Sequence, residues 1–249
     1  ERAPARLDKR GAMRYQIFPG LVLSAVTATV QAASFTPLGT LSPGDRTWAT
    51  AVAADGFAVA GYNEGNGETE AFRWTSNDGL DGLGHLQPEY YPRSEALGIS
   101  ADGSVVVGSN QSNPSAFRWT SAGGMQGLGA LPGDSFSVAY GVSANGSVVV
   151  GSSLDGTSGG VEAFRWTEGS GMAGLGTLPN GTSSEARAVS GDGTVVVGTS
   201  DGQAFRWENG VMVGLGYLPT GASYSEGFAV SADGSTVVGS SCGTSGQEA

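Results

Sequence analysis

The apolar positions of this chain recur in one short pattern. Ala116-Phe117-Arg118-Trp119-Thr120 returns as Ala71-Phe72-Arg73-Trp74-Thr75, as Ala163-Phe164-Arg165-Trp166-Thr167 and as Ala204-Phe205-Arg206-Trp207. Residues two apart on a strand share a face, so Phe and Trp point one way and Arg the other. Ahead of each copy runs a second apolar stretch. It reads Val105-Val106-Val107-Gly108, then Val148-Val149-Val150 and Val195-Val196-Val197, and weakens to Phe57-Ala58-Val59 and Thr236-Val237-Val238. A run apolar at successive positions suits a strand covered on both faces. Each run follows a turn dipeptide: Asp55-Gly56, Asp102-Gly103, Asn145-Gly146, Asp192-Gly193 or Asp233-Gly234. Such dipeptides between apolar runs predict a two-residue hairpin turn with positive φ at both residues.

One full unit, Ser94 to Leu131, contains four predicted strands: Ala96–Ser100, Ser104–Gly108, Ala116–Thr120 and Met125–Leu131. The last ends in a Leu-Gly-x-Leu signature that recurs from Leu38, Leu83, Leu175 and Leu215. The repeat phenylalanines, Phe72, Phe117, Phe164 and Phe205, are separated by 45, 47 and 41 residues. Four antiparallel strands at that period are the signature of a β-propeller blade, a unit that cannot bury its apolar faces alone. The predicted fold is therefore all-β, a propeller of four-stranded blades. Another β repeat array and a two-sheet sandwich are the alternatives, and a sandwich has no need of near-identical repeats. Blades end at Leu86, Leu131, Leu178 and Leu218, and Ala249 stands where a fifth Phe-Arg-Trp copy would begin. This predicts an incomplete ring of about 4.5 to 5 blades over residues 33–249.

The first 32 residues do not share the repeat. Met13 to Ala32 reads as a secretory signal peptide, with Arg14 at its start, an apolar centre at Leu21-Val22-Leu23 and small residues before Ala33. Residues 1–12 are an upstream or extended basic segment, outside any fold. The apolar run is short for a membrane span and is interrupted by Pro19 and Gly20. Residues 33–249 contain no candidate membrane span.

Charge narrows the function classes. The formal net charge is −11, and five of the twelve basic residues lie in the first 32 positions. Four of the seven remaining arginines are the repeat arginines, and no lysine follows Lys9. A nucleic-acid partner needs clustered basic residues to neutralise phosphates, and this chain has no such cluster. The single cysteine, Cys242, excludes a disulfide framework. The single histidine, His85, excludes a three-histidine metal site, and no nucleophile elbow accompanies it.

The combined motif Ser-Ala-Asp-Gly-Ser-Val-Val-Val-Gly, Ala-Phe-Arg-Trp-Thr and Gly-Leu-Gly-x-Leu resembles the bacterial extracellular HAF repeat family, over about Phe35 to Ala249. Glu70, Ser115, Glu162 and Gln203 stand where that family's triplet has histidine. The resemblance implies an exported, secreted or cell-surface repeat protein in a bacterium, periplasmic or beyond, and no established reaction.

Two faces of a propeller are distinguishable here. The Asp-Gly turns barely change, whereas the loops from second to third strand vary in length: Tyr62–Glu70, Ser109–Ser115, Ser152–Glu162, Thr199–Gln203 and Ser240–Glu248. Variable loops on a rigid scaffold are where binding sites sit. The links between blades share that face, with Arg46, Glu185, Arg187 and Glu226 on it, and bring Trp48, His85, Glu89, Tyr90, Tyr91, Arg93, Asp134, Phe136 and Tyr224. These are the candidate ligand residues. Aromatic rings and carboxylates together suit a glycan; a protein ligand is the other expectation.

The repeat residues have structural readings: Phe72, Trp74, Phe117, Trp119, Phe164, Trp166, Phe205 and Trp207 as core, and Arg73, Arg118, Arg165 and Arg206 as partners of carboxylates or carbonyls between blades. No cofactor is implied. Calcium is the one ion with candidate ligands, in the repeated Asp residues or the Asn63–Glu70 loop, although an Asp-Gly turn supplies only one ligand group. Three functions follow in order: a non-catalytic extracellular binding scaffold, a propeller glycan hydrolase or lyase, and a calcium-stabilised adhesin or autotransporter passenger segment.

Overall fold

A computed structural model describes residues 36–86, 92–110, 116–156, 159–219, 223–243 and 246–248. The predicted signal segment therefore lies outside the described residues. Almost all of them belong to one compact unit, Leu38–Ala249.

That unit is all-β. Blade 1 consists of β1 (Arg46–Val52), β2 (Ala58–Gly65), β3 (Glu68–Thr75) and β4 (Gly79–Gly82). Blade 2 consists of β5 (Ser94–Ile99), β6 (Val105–Asn110), β7 (Ala116–Thr120) and β8 (Gly124–Gly127). Blade 3 has β9 (Phe136–Val142), β10 (Val148–Leu154), β11 (Val161–Thr167) and β12 (Gly171–Gly174). Blade 4 has β13 (Ser184–Val189), β14 (Val195–Ser200), β15 (Gln203–Glu208) and β16 (Val211–Gly216). The fifth sheet, β17 (Tyr224–Val230), β18 (Val237–Gly243) and β19 (Gly246–Glu248), has three strands. Within every sheet the strands pair antiparallel in chain order. The first strands of successive sheets contact one another, which places them on the inside of a propeller arc and the fourth strands outside.

The valine runs are buried from both sides, as their pattern predicts. Val106 and Phe117 face blade 1, packing with Ala60 and Ala71, while Val105 and Val107 face blade 3 and pack with Val149 and Phe164. The same division repeats at the next joint, where Val148 and Val150 meet Val196 and Phe205. All four repeat phenylalanines have no exposed surface. Val238 occupies the place of Val107, Val150 and Val197 in the fifth sheet, yet is 56% exposed where they are fully buried. No further blade covers it among the described residues.

Three repeated devices join the blades. The repeat arginines cross each joint: Arg73 Nε donates to the Gly103 carbonyl at 2.6 Å, and Arg118, Arg165 and Arg206 reach Gly146, Gly193 and Gly234 at 3.3 to 3.5 Å. A buried serine stands at the start of the first strand of blades 2 to 4 and of the fifth sheet. Ser184 Oγ accepts from the Ala163 amide at 2.9 Å and donates to the Gly176 carbonyl at 2.6 Å. Ser94, Ser137 and Ser225 make the same two bonds at their joints. Near the inner edge, backbone bonds run from Ala54 to Ala101, Ala144, Gly191 and Ala232, each amide donating to the next blade's carbonyl at 2.9 to 3.0 Å.

Two local expectations are corrected. The Asp-Gly turns are not two-residue turns. Ser100 pairs with Val105 across a four-residue loop, and only the glycine has positive φ, +69° at Gly103. The aspartate instead works through its side chain. Asp102 Oδ1 accepts from the Ser100 hydroxyl and from the Ser104 amide and hydroxyl, fixing an Asx-type turn. The two-residue turns with positive φ at both positions are Asn66-Gly67, Asp201-Gly202 and Asn209-Gly210. The fourth strand is also shorter than predicted. β8 ends at Gly127, and the Leu-Gly-x-Leu signature is the link beyond it, with Gly129 at φ +81° turning the chain toward the next blade.

Candidate functional site

Strand polarity puts the starts of the first strands and the ends of the second strands at one end of the arc. The candidate ligand residues outside blade interiors gather there. Trp48 on β1 is 37% exposed and stacks on its cross-strand partner Tyr62, with ring centroids 5.2 Å apart. His85 Nε2 lies 3.0 Å from the Thr69 carbonyl oxygen, a link-to-strand contact. Arg93 forms an isolated bridge with Thr69, and its Nε is buried without a hydrogen-bond partner. Asp134 sits in a turn closed by its amide to the Leu131 carbonyl, and Phe136 opens β9, half-buried. Glu89, Tyr90 and Tyr91 lie outside the described residues. Tyr224 opens β17 and donates its hydroxyl to Glu226 at 2.8 Å.

These residues do not converge on one pocket. Asp134 lines a cleft of about 440 Å³ over blade 3, together with Asp155, Glu162 and Thr177. Tyr224 lines a different cleft, of about 260 Å³, between blades 4 and 5, together with Glu185, Arg187, Thr199, Asp201 and Glu226. The Asn63–Glu70 loop, a candidate for calcium, closes as a continuous hairpin between β2 and β3. The Asn63 amide is engaged by Asp45, Thr47 and the Leu41 backbone.

The first strands hold a feature that periodicity does not disclose. Each carries a β-bulge at the same place. The extra residues are Thr50, Leu97, Tyr140, Arg187 and Phe228. The glycine closing each valine run lies under this region. A Cβ on Gly108, Gly151 or Gly198 would collide with the carbonyl of residue 95, 138 or 185. A bulge re-aims a side chain, and here the re-aimed residue differs in every blade while its surroundings stay fixed. The register slot two residues earlier is glutamate in three sheets and Trp or Val in the others. Its cross-strand pairs are Trp48 with Tyr62, Glu95 with Ser109, Val138 with Ser152, Glu185 with Thr199 and Glu226 with Ser240.

At blades 3 to 5 these slots form a connected group. Arg187 lies over the Tyr140 ring, 5.3 Å from its centroid, and its Nε stands 2.6 Å from Glu185 Oε1. That Glu185 oxygen is buried and has no well-directed hydrogen bond, so the pair is held by charge. Burial pushes the Tyr140 hydroxyl above its ordinary pKa, and the Glu185 charge adds to the effect. The bond to Glu226 pushes Tyr224 the same way, with burial second. Asp201 is held below the usual carboxylate range, first by the Thr182 amide and then by the Ser183 amide and the Thr182 and Ser200 hydroxyls. Its oxygens are thus spent on the link before β13. Tyr140, Thr199 and Asp201 were not singled out from the sequence. The available signal was a central position of each first strand that changes while its neighbours remain small: Ala96, Gly98, Ala139, Gly141, Ala186 and Ala188.

The arrangement is that of a β-propeller with a polar, aromatic-lined edge at one end. No family model matches the chain, and no curated protein matches it. Among solved structures it is similar to TolB from Acinetobacter baumannii, at TM-score 0.52 and 16% identity, over 77% of this chain and 49% of that one. It is similar also to a putative TolB from Agrobacterium tumefaciens, at TM-score 0.54 and 17% identity, over 80% of this chain and 71% of that one. The chain spans about half the length of the first. At these identities the likeness shows the fold, and the fold alone. Among the described residues no helix is long and apolar enough to cross a membrane.

Proposed function

We propose that this chain is a non-catalytic binding scaffold, exported from a bacterial cell and of the HAF repeat kind, which holds its ligand at the end of the arc bearing the variable loops. One observation carries the reading. Residues that make the joints repeat from blade to blade, whereas the bulge residue differs in every sheet, and the slot two residues earlier is Trp48, Val138 or a glutamate, Glu95, Glu185 and Glu226. Chemical variety is concentrated where packing does not demand a particular side chain, as expected of a recognition surface on a rigid frame.

Attachment from opposite ends tests the assignment. Cys242 is exposed at the end of β18, on the loop end. Biotin placed there should block binding to an array of bacterial envelope glycans and proteins. Biotin at Ser147→Cys, on the turn end in a Cys242→Ser background, should leave it intact. Equal signals from both attachments, or cleavage of any bound glycan, would overturn the proposal.

A further inference from the structure

We propose that the cleft between blades 4 and 5 binds a single neutral sugar residue, with Tyr224 as its stacking surface and Arg187, Glu185 and Glu226 as its hydroxyl partners. This rests on the reading of the loop end as the ligand face, and names the site and the ligand class within it.

The cleft measures about 260 Å³, below the roughly 300–1,000 Å³ of drug-sized pockets, and so suits one ring and not an extended chain. Tyr224 is 42% exposed. One side of its ring lies against Gly202, where an added Cβ would come within 3.0 Å of a ring carbon. A side chain in place of Gly202 would crowd the ring, so the glycine keeps the tyrosine seated beside the cleft. Aromatic rings seat the apolar C–H face of a sugar while its hydroxyls remain free to bond at the rim.

The polar groups supply both halves of hydroxyl recognition. Glu185 and Glu226 are acceptors when ionised. Arg187 uses its Nε toward Glu185 and its planar face toward Tyr140. Its terminal nitrogens have no hydrogen-bond partner among the described residues and remain as donors.

Charge selects the class. Glu185, Glu226 and Asp201 line the cleft with one guanidinium, Arg187, and an anionic sugar would meet an excess of negative charge. A lysine or arginine side chain would meet carboxylates already engaged, Glu185 by Arg187, Glu226 by Tyr224 and Asp201 by the Thr182 and Ser183 amides. A neutral polyhydroxyl ring meets donors and acceptors without either conflict.

The test is saturation-transfer NMR on the whole chain, with neutral methyl hexosides and methyl 6-deoxyhexosides as probes, and with methyl galacturonide and a tri-lysine peptide as competitors for the assignment. The expected result is saturation of at least one neutral glycoside, weakened tenfold or more by Tyr224→Ala and by Arg187→Ala. Phe57→Ala, at the turn end of blade 1 and 65% exposed, should leave it unchanged. Thermal melting of each variant keeps a binding loss distinct from unfolding, and Glu226→Gln offers a milder substitution with the same expected direction. No neutral glycoside binding to the wild type would overturn the proposal, as would tighter binding of the galacturonide or the peptide. Glycoside binding that survives Tyr224→Ala and Arg187→Ala but is lost in Trp48→Ala would remove this cleft as the site while leaving the loop-end reading standing.

Discussion

Replacing Ser184 by alanine removes one oxygen atom and should cost far more than its size suggests. Ser184 is 2% exposed, and its hydroxyl lies between the buried Ala163 amide and the carbonyl of Gly176, an exposed residue of the link. The Ala163 amide faces the side where the outer strand has already left the sheet, since β12 stops at Gly174 and the link turns away at Gly176. Serine therefore takes the place of a missing strand. Without it, the Ala163 N–H is left in the joint with no partner, while the Gly176 carbonyl loses its bond at an exposed residue. Each lost hydrogen bond is worth about 0.5–1.5 kcal/mol net, and stranding a buried group adds to that, so the total should be about 2–4 kcal/mol. At a urea slope of about 3 kcal/mol per molar, the midpoint should fall by about 0.7–1.3 M. Tryptophan emission reports the transition, because Trp166 is half-buried in the adjoining blade. Ser170→Ala is the control: its hydroxyl is exposed and meets only Thr167, so its effect should stay within about 0.5 kcal/mol. Equal midpoints for the two variants would refute the idea that the serines hold the blades together.

Two further outcomes follow from the repeats. Gly151→Ala should fail to fold or lose most of its stability, measured by circular dichroism and melting, because its Cβ would strike the Val138 carbonyl and the Phe164 ring; the exposed Gly169→Ala, with open space around it, should be tolerated. For the Asp turns, the three bonds from Ser100 and Ser104 hold Asp102 at a pKa of about 2, below the ordinary value near 3.8. A carboxyl lowered on folding stabilises the fold fully above about pH 4, and that contribution fades as pH falls toward 2. Asp102→Asn should therefore leave the urea midpoint at pH 7 nearly unchanged, since Asn145 accepts the same bonds from Ser143 and Ser147. It should also reduce the loss of stability between pH 4 and 2, and an unaltered acid profile would count against the turn network.

Much of the frame is legible because it depends on local alternation. The Phe-Arg-Trp strand sends Phe117 and Trp119 toward blade 1 and Arg118 toward Gly146, as a two-residue period requires. What is not legible depends on partners far along the chain. The Arg118 bond to Gly146 spans 28 residues, and Ser184 reaches back 21 residues to Ala163. A serine beside Glu185 has no local mark that distinguishes it from a surface serine. The bulges are hidden for a different reason. A strand with one extra residue still reads as a strand, and the shift appears only when its partner's register is known.

The hidden feature also bears most directly on function. Each joint makes the same demands, so residues at the joints repeat and are found by their repetition. The bulge imposes no such demand. Thr50 uses its hydroxyl to bond the Ala96 carbonyl of the next blade at 2.7 Å, while Arg187 at the equivalent place pairs with Glu185 beside an open cleft. One backbone device thus serves cohesion in one blade and presents a cation in another. Repetition locates the scaffold, and its interruption at matched register locates the residues that are free to recognise something else. Tyr140, Arg187, Glu185, Tyr224 and Glu226 are therefore the positions for mutagenesis ahead of His85, whose ring nitrogen contacts the backbone of Thr69 in its own blade.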